Sequence, residues 1–398
     1  MQLSNKVKSV KPSSTIALTA KSAEYKAQGL DVVAFAAGEP DFDTPDHIKE
    51  AAILAINQGK TKYTPAAGTM DIRKAVCDKL EKDNGLKYLP EQIVVSNGAK
   101  QALVNAFLAI INEGDEVIIP GPFWLSYAEM VKIAGGVPVV INTRKEDSFV
   151  VDPKDIEDAI TPETKAIIFN TPSNPTGMIY TEEAIRAIAD IAVKHDIFVI
   201  SDEIYEKLIY VKDKKHVSIA SLGPEIYDRT IVVNGVSKSF SMTGWRIGYT
   251  ASNLTIAKLI SSAQSHMTSG PCSISQAAAV AALTGPQDCV EEMRKAFEKR
   301  MEYIYERVNA MDGLSCLKPE GAFYLFVDVS GVYGKKYNGK PITSAAEFAA
   351  YLLEDKLVVA VPCADFAAPD YLRFSYAVSI DTIKKGMDRI EAFLGKLE

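Results

Sequence analysis

The stretch running from Ala166-Ile-Ile-Phe-Asn170 through Thr181–His195 to Phe198-Val-Ile-Ser-Asp202 decides the fold. Its first and last segments are short, apolar and rich in β-branched residues. Between them Thr181 stands as an N-cap with Glu182 and Glu183 behind it, and apolar residues then recur at helical spacing. Strand, helix and strand in that order predict a parallel pair with the helix crossing over one face. Working outward, similar runs occur at Ile93–Ser96, Glu116–Pro120, Val137–Ile141, Thr230–Asn234 and Ile247–Ala251, and a second clear helix at Ala99–Asn112. The expected fold class is therefore α/β, with a mostly parallel sheet covered by helices on both faces. Ligands of such sheets sit at the carboxyl ends of the strands. Ser96–Lys100, Asn170–Gly177, Asp202–Tyr205 and Asn234–Lys238 all follow strand-like runs, so polar chemistry gathers on one edge.

After about Gly285 the pattern changes to a long charged helix (Val290–Met311), a β-like run at Gly321–Asp328, and further helix and strand signals. Residues 51–285 are expected to form a large domain and 286–398 a smaller α+β one. Residues 1–50, which carry the loop Gly38–Pro45, are expected to pack with the smaller domain. The chain has 398 residues, 47% hydrophobic and 24% charged, which excludes a disordered or fibrous protein. A balance of 44 Lys+Arg against 51 Asp+Glu leaves no basic footprint for nucleic acid. The five cysteines form no C-x-x-C pair, so neither a zinc site nor a disulfide framework is expected, and reduced thiols fit a cytoplasm. No segment approaches ~18 consecutive apolar residues, and the N-terminus lacks a signal-like core, so no membrane span or export is expected.

Gly235-Val-Ser-Lys-Ser-Phe-Ser-Met-Thr-Gly-Trp-Arg-Ile-Gly248 is the most informative polar stretch. A lysine is usually a solvated surface residue. Lys238 instead follows an apolar strand, where desolvation depresses an amine's pKa and makes it usable for imine chemistry. Ser237 and Arg246 can both grip a phosphate. Asp202 ends another apolar run. A carboxylate there can simply cap a helix, but a partly buried Asp also suits the protonated nitrogen of a pyridine cofactor, with Tyr205 beside the ring oxygen. Asn174 sits between two prolines in a stiff turn, where its amide can serve a cofactor oxygen and a substrate carboxylate. Gly98, in Ser96-Asn-Gly-Ala-Lys-Gln-Ala102, opens a helix whose exposed N–H groups suit a phosphate. Trp124 can stack on a planar ring or be plain core; Tyr63 lies in a Pro- and Gly-bearing loop, where its hydroxyl can reach a phosphate. Arg373, in an alternating strand, calls for an anion such as a carboxylate.

Together these motifs, with Lys11-Pro-Ser-Ser-Thr15 and Gly38-Glu-Pro-Asp-Phe-Asp43, resemble a fold-type I pyridoxal-phosphate enzyme, specifically a class I aminotransferase of the bacterial aspartate aminotransferase subgroup. The resemblance covers essentially the whole chain. It implies a seven-stranded large domain, a smaller domain, and pyridoxal 5'-phosphate carried on Lys238, which shuttles a proton between the substrate Cα and the cofactor C4′. It implies further that Asp202 pairs with the pyridine nitrogen, Asn174 and Tyr205 contact the ring oxygen, and Trp124 stacks on the ring. Gly98, Ala99, Ser237 and Arg246 hold the phosphate, with Lys100 beside them. Arg373, Asn174 and the Gly38 backbone bind the α-carboxylate, while Lys100 recognises a distal carboxylate under a segment containing Thr15. Tyr63 reaches the neighbouring subunit's site, which makes the enzyme a homodimer.

The reaction so implied moves the amino group of L-aspartate to 2-oxoglutarate, giving oxaloacetate and L-glutamate through alternating pyridoxal and pyridoxamine forms of the cofactor. The same residues occur in relatives that accept prephenate, the alternative substrate. A carbon–sulfur lyase on this fold has no need of Lys100. A transcriptional regulator needs an added basic module, and a dinucleotide oxidoreductase needs a G-x-G-x-x-G turn that is missing here.

Overall fold

The computed structural model describes residues 3–398. Its organising element is a seven-stranded sheet in the spatial order Ile93–Asn97, Ile247–Ala251, Thr230–Gly235, Phe198–Asp202, Thr164–Asn170, Glu116–Gly121, Val137–Asn142. Ile247–Ala251 runs antiparallel to both neighbours; the remaining pairs are parallel. Strand side chains alternate between two cores, as the pleat requires. On one side Val117, Ile119, Ile168, Ile200, Ile231 and Val233 meet Ala102, Leu103, Ala106, Phe107 and Ile110 of the helix Ala99–Ile110. On the other, Ile118, Ile167, Phe169 and Val199 meet Ile185, Ile188, Ala189 and Ala192 of the helix Glu182–Lys194. A fully buried side chain such as Phe107 contributes on the order of 3–5 kcal/mol, judged by the usual cost of truncating it.

The expected strands all form. The helix at Ala99 stops at Ile110, two residues early, because Asn112 folds into a turn whose N–H donates to Asp115 Oδ2 at 2.7 Å. The strand expected from Ala166 starts at Thr164, drawn out by its pairing with Glu116 across a bulge. Thr181 does cap its helix, accepting from the Ala184 N–H at 3.3 Å.

Beyond residue 285 the long helix Asp288–Asn309 packs with an antiparallel sheet ordered Val361–Pro362, Tyr371–Ser375, Tyr324–Asp328, Ser315–Cys316, and with the helices Ala345–Lys356 and Ile380–Leu394. The N-terminal segment touches both parts of the molecule. Val33–Ala34 pairs in parallel with Val358–Val359, whereas the Lys11 N–H donates to Glu129 and the helix Asp46–Asn57 lies on Ser273–Thr284. Among the described residues no helix is long and apolar enough to cross a membrane.

Candidate active site

Strand register builds the site. Asn170 pairs with Asp202, and Asp202 with Val233, so three strand ends and their loops emerge side by side. Asn170 Nδ2 donates to the Asp202 carbonyl at 2.8 Å, and its Oδ1 accepts from the Asn174 N–H at 2.8 Å. That stiffens the Pro-bearing turn and aims the Asn174 amide at the far side of the cleft, where Oδ1 accepts from Arg373 Nη1 at 2.9 Å. Arg373 is buried, its Nη2 donates to the Ala36 carbonyl at 3.2 Å, and its Nε has no partner.

Asp202 is 3% exposed. Tyr127 Oη donates to its Oδ2 at 2.6 Å and the Ile204 N–H to its Oδ1 at 3.2 Å. Desolvation nevertheless outweighs these donors and pushes the carboxyl up to about 6. Across the cavity Lys238 Nζ donates to the Gly38 carbonyl at 2.6 Å. Desolvation, with Arg246 and Arg373 nearby, outweighs Glu39 and lowers the ammonium to about 8, so roughly a tenth of it is the neutral nucleophile at pH 7.

The third part of the site is the start of the helix Ala99–Ile110, whose N-cap Gly98 has φ 84° and offers no side-chain acceptor. A Cβ on Gly98 would strike the Arg246 guanidinium, and one on Gly248 would strike the Ala99 nitrogen. Glycine at both places lets the strand Ile247–Ala251 bring Arg246 against the open N–H groups of the helix start, an anion-binding arrangement. Arg246 donates to the Thr243 carbonyl at 2.7 Å. Lys100 Nζ lies 4.9 Å from the centre of the Trp124 ring, and desolvation lowers its pKa, with Arg246 adding to the effect.

Of the residues expected from sequence, Thr15, Gly38, Ala99, Lys100, Trp124, Asn174, Asp202, Tyr205, Ser237, Lys238, Arg246 and Arg373 line one cavity of about 580 Å³. Gly98 stands behind it, against Arg246. Tyr63 does not line it and is fully exposed, although its loop is held by Gln276, which accepts from the Thr69 N–H at 2.8 Å and donates to Thr64 at 3.0 Å. Two lining tyrosines escaped the sequence reading, Tyr127 and Tyr324. Tyr127 had a faint signal in its place three residues after Trp124, with which it packs edge to face at 5.4 Å.

Among the described residues, Lys100, Lys238, Arg246 and Arg373 have no carboxylate within 4.0 Å. Four cations therefore face a cavity whose lining holds one carboxylate, Asp202. Such a site is built for a ligand set carrying several negative charges.

Residues 30–390 match the family model for "Aminotransferase class I and II". The chain is 50% identical to an aspartate aminotransferase of Bacillus sp. (strain YM-2), over 98% of this chain and 99% of that one. It is 45% identical to an aspartate/prephenate aminotransferase of Cereibacter sphaeroides, over 99% of each. The crystal structure of an aspartate aminotransferase from Rhizobium meliloti superposes with a TM-score of 0.96 at 42% identity, covering 100% of both chains.

Proposed function

The chain belongs to the class I and II aminotransferase family, and from that premise we propose that it is an aspartate aminotransferase, reversibly converting L-aspartate and 2-oxoglutarate to oxaloacetate and L-glutamate with pyridoxal 5'-phosphate in the cavity. The observation that carries the proposal is the charge inventory: four unpaired cations around one buried carboxylate. A phosphate and two substrate carboxylates answer it. Arg246, Ser237 and the helix start at Gly98 and Ala99 take the phosphate, Arg373 with Asn174 and the Gly38 backbone the α-carboxylate, and Lys100 under Thr15 the distal carboxylate.

The residues suit the cofactor on the geometry of this chain alone. The Gly98 cradle would be filled by a single Cβ, Arg373 Nε lacks a partner, and Asp202 is buried with no cation bonded to it. When bound, pyridoxal phosphate supplies an electron sink for the carbanion left at Cα. The protein's part is acid–base work and positioning. Asp202 would accept a hydrogen bond from the protonated ring nitrogen, and that positive charge would hold it as a carboxylate. Trp124 would cover one ring face, and Tyr205 and Asn174 would meet the ring oxygen. Lys238 would hold the cofactor and, once released by substrate, would take the proton from Cα. Arg373 fixes the substrate so that this proton faces Lys238.

We propose further that the enzyme works as a cytoplasmic homodimer in which Tyr63 serves the partner's phosphate, and that residues 51–285 and 286–398 act as large and small domains. Support for the shared site comes from Tyr63 itself, which misses its own cavity. Ile53, Leu54, Ile56, Leu259 and Met267 are also exposed on the helices beside its loop. Mixing Lys238→Ala with Tyr63→Phe subunits should restore activity per Lys238-bearing site above that of the Tyr63→Phe dimer; exchange without recovery places Tyr63 in its own chain's site.

A second substrate reading, prephenate, is favoured by Ile16, Ala20 and Ala23, which add apolar side chains to the cavity lining where a ring could pack. Rates of the purified protein with aspartate, glutamate, alanine, phenylalanine and prephenate test both. Aspartate and glutamate should lead, and alanine equalling aspartate would overturn the acidic specificity.

A further inference from the structure

Tyr324 begins the strand Tyr324–Asp328 and is 1% exposed. Register pairs Phe326 with Arg373, so Tyr324, two residues earlier, shares a sheet face with Arg373. The Arg373 guanidinium lies 4.4 Å from the centre of the Tyr324 ring. The Tyr324 hydroxyl is 2.9 Å from that of Tyr205, and a Cβ on Gly38 would come within 3.2 Å of it. One side chain therefore touches the groups assigned above to the ring oxygen and the α-carboxylate, and fills the space that glycine leaves at residue 38.

We propose that Tyr324 is a positioning residue that orients the Tyr205 hydroxyl proton toward the cofactor and holds the Arg373 guanidinium flat for the substrate carboxylate. The proposal rests on the roles of Tyr205 and Arg373 given above. Each phenol has one proton, and between two hydroxyls 2.9 Å apart one must donate. Among the described residues, Tyr324 Oη has no other hydrogen-bond partner. Tyr205, assigned above to the ring oxygen, has an acceptor there for its own proton, whereas Tyr324 is assigned none, so donation from Tyr205 would use up the proton the ring oxygen needs. Donation from Tyr324 to Tyr205 leaves the Tyr205 proton free for the ring oxygen. The bond received by Tyr205 also polarises its O–H and makes it a stronger donor to an anionic ring oxygen. Arg373 beside the Tyr324 ring favours the same direction, since a cation makes a phenol the better donor.

Three variants loaded with pyridoxal phosphate and no substrate test this, read by the pH midpoint of the cofactor's visible absorbance change. A hydrogen bond to the deprotonated ring oxygen lowers that midpoint, so Tyr205→Phe should raise it by about one unit or more. Tyr324→Phe should raise it by about half a unit, on the scale of cooperative strengthening. The Tyr205→Phe/Tyr324→Phe double variant should match Tyr205→Phe alone, because the effect passes through Tyr205. Tyr324→Leu, which removes the ring under Arg373 as well, should raise KM roughly five- to tenfold for acidic and neutral amino acids alike. A midpoint unmoved by Tyr324→Phe but moved by Tyr205→Phe overturns the proposal and leaves Tyr205 in place. A midpoint unmoved by Tyr205→Phe overturns both. Tyr324→Phe keeps the ring, so the hydroxyl is tested even where Tyr324→Leu does not fold.

Discussion

Asp202 and Glu203 are consecutive residues, both buried, that belong to two polar clusters of opposite character. Asp202 opens on the cavity and its four cations. Glu203 belongs to a charge-paired network: its Oε1 accepts from Ser201 at 2.9 Å and Ser218 at 2.6 Å, and His216 Nε2 stands 2.9 Å from its Oε2, a charge contact rather than an aligned hydrogen bond. Nearby, Glu206 pairs with Lys79 and accepts from Asn84 and Asn234 at 2.9 Å each. Glu203, Glu206 and His216 bring potential ligand atoms within 4.8 Å of one another, but the Lys79 ammonium already answers the charge of Glu206. Burial raises the pKa of both Asp202 and Glu206. In Glu206 the Lys79 ammonium overrides it and the carboxyl falls to about 2, whereas Asp202 stays up at about 6. Burial is common to the two; the presence of a protein partner is not. The cluster left unbalanced by its own chain is the one that awaits a ligand.

The sharpest way to break this comparison is to remove the lysine from each cluster. Lys238→Ala should lower kcat by at least about 10³ with little change in melting temperature, since it deletes the acid–base group. Lys79→Ala should do the reverse, costing roughly 3–5 kcal/mol of stability by stranding Glu206 while the remaining folded enzyme turns over within about tenfold of normal. Equal effects on rate and stability in both variants would erase the distinction.

Asp202→Asn comes next. It should lower kcat by at least ~10², the scale of losing a key electrostatic partner, and near-normal rates would remove Asp202 from the ring nitrogen. Lys100→Ala is expected to be selective rather than global, lowering kcat/KM about tenfold or more for aspartate and glutamate relative to alanine and phenylalanine. A uniform loss would move Lys100 to the phosphate.

Stability should depend on pH, with a sign that differs between the clusters. Glu206 is depressed from 4.5 to about 2, so it contributes stability above pH 4.5 that is lost as pH falls toward 2, on the order of 3 kcal/mol. His216 opposes its desolvation through Glu203 and ends raised, so its contribution is present below pH 6.5 and is lost as pH rises through its folded value. Asp202, raised from 3.8 to about 6, destabilises the cofactor-free fold as pH rises across that interval. Melting curves of cofactor-free protein between pH 3 and 7 should therefore show Glu206→Gln losing the acid-side slope and Asp202→Asn gaining stability toward pH 7. Superimposable curves for both variants would contradict these directions.

The sequence made the sheet and the open cluster legible for the same reason. Strand runs such as Phe198–Asp202 carry local signals, and in a parallel sheet their ends bring Asn170, Asp202 and the Lys238 loop to one edge without further information. The charge-paired cluster was not legible, because Lys79 in the charged helix Met70–Asn84 reads as part of a solvated face; its burial depends on Glu206, far along the chain. Tyr127 and Tyr324 were hidden similarly: their hydroxyls meet Asp202 and Tyr205 across 75 and 119 residues of sequence, separations that no local spacing reveals. The end of the helix at Ile110 was set by a side-chain turn at Asp115 rather than by helical periodicity.

The most direct test of the central claim, that the unbalanced cluster holds pyridoxal phosphate on Lys238, is to load the protein with the cofactor, reduce it with borohydride, digest it and map the added mass. The account predicts one modified residue per chain, Lys238, and no modification of Lys79 or Lys100. Cofactor mass on another lysine, or a loaded protein that reduction never labels, would contradict it.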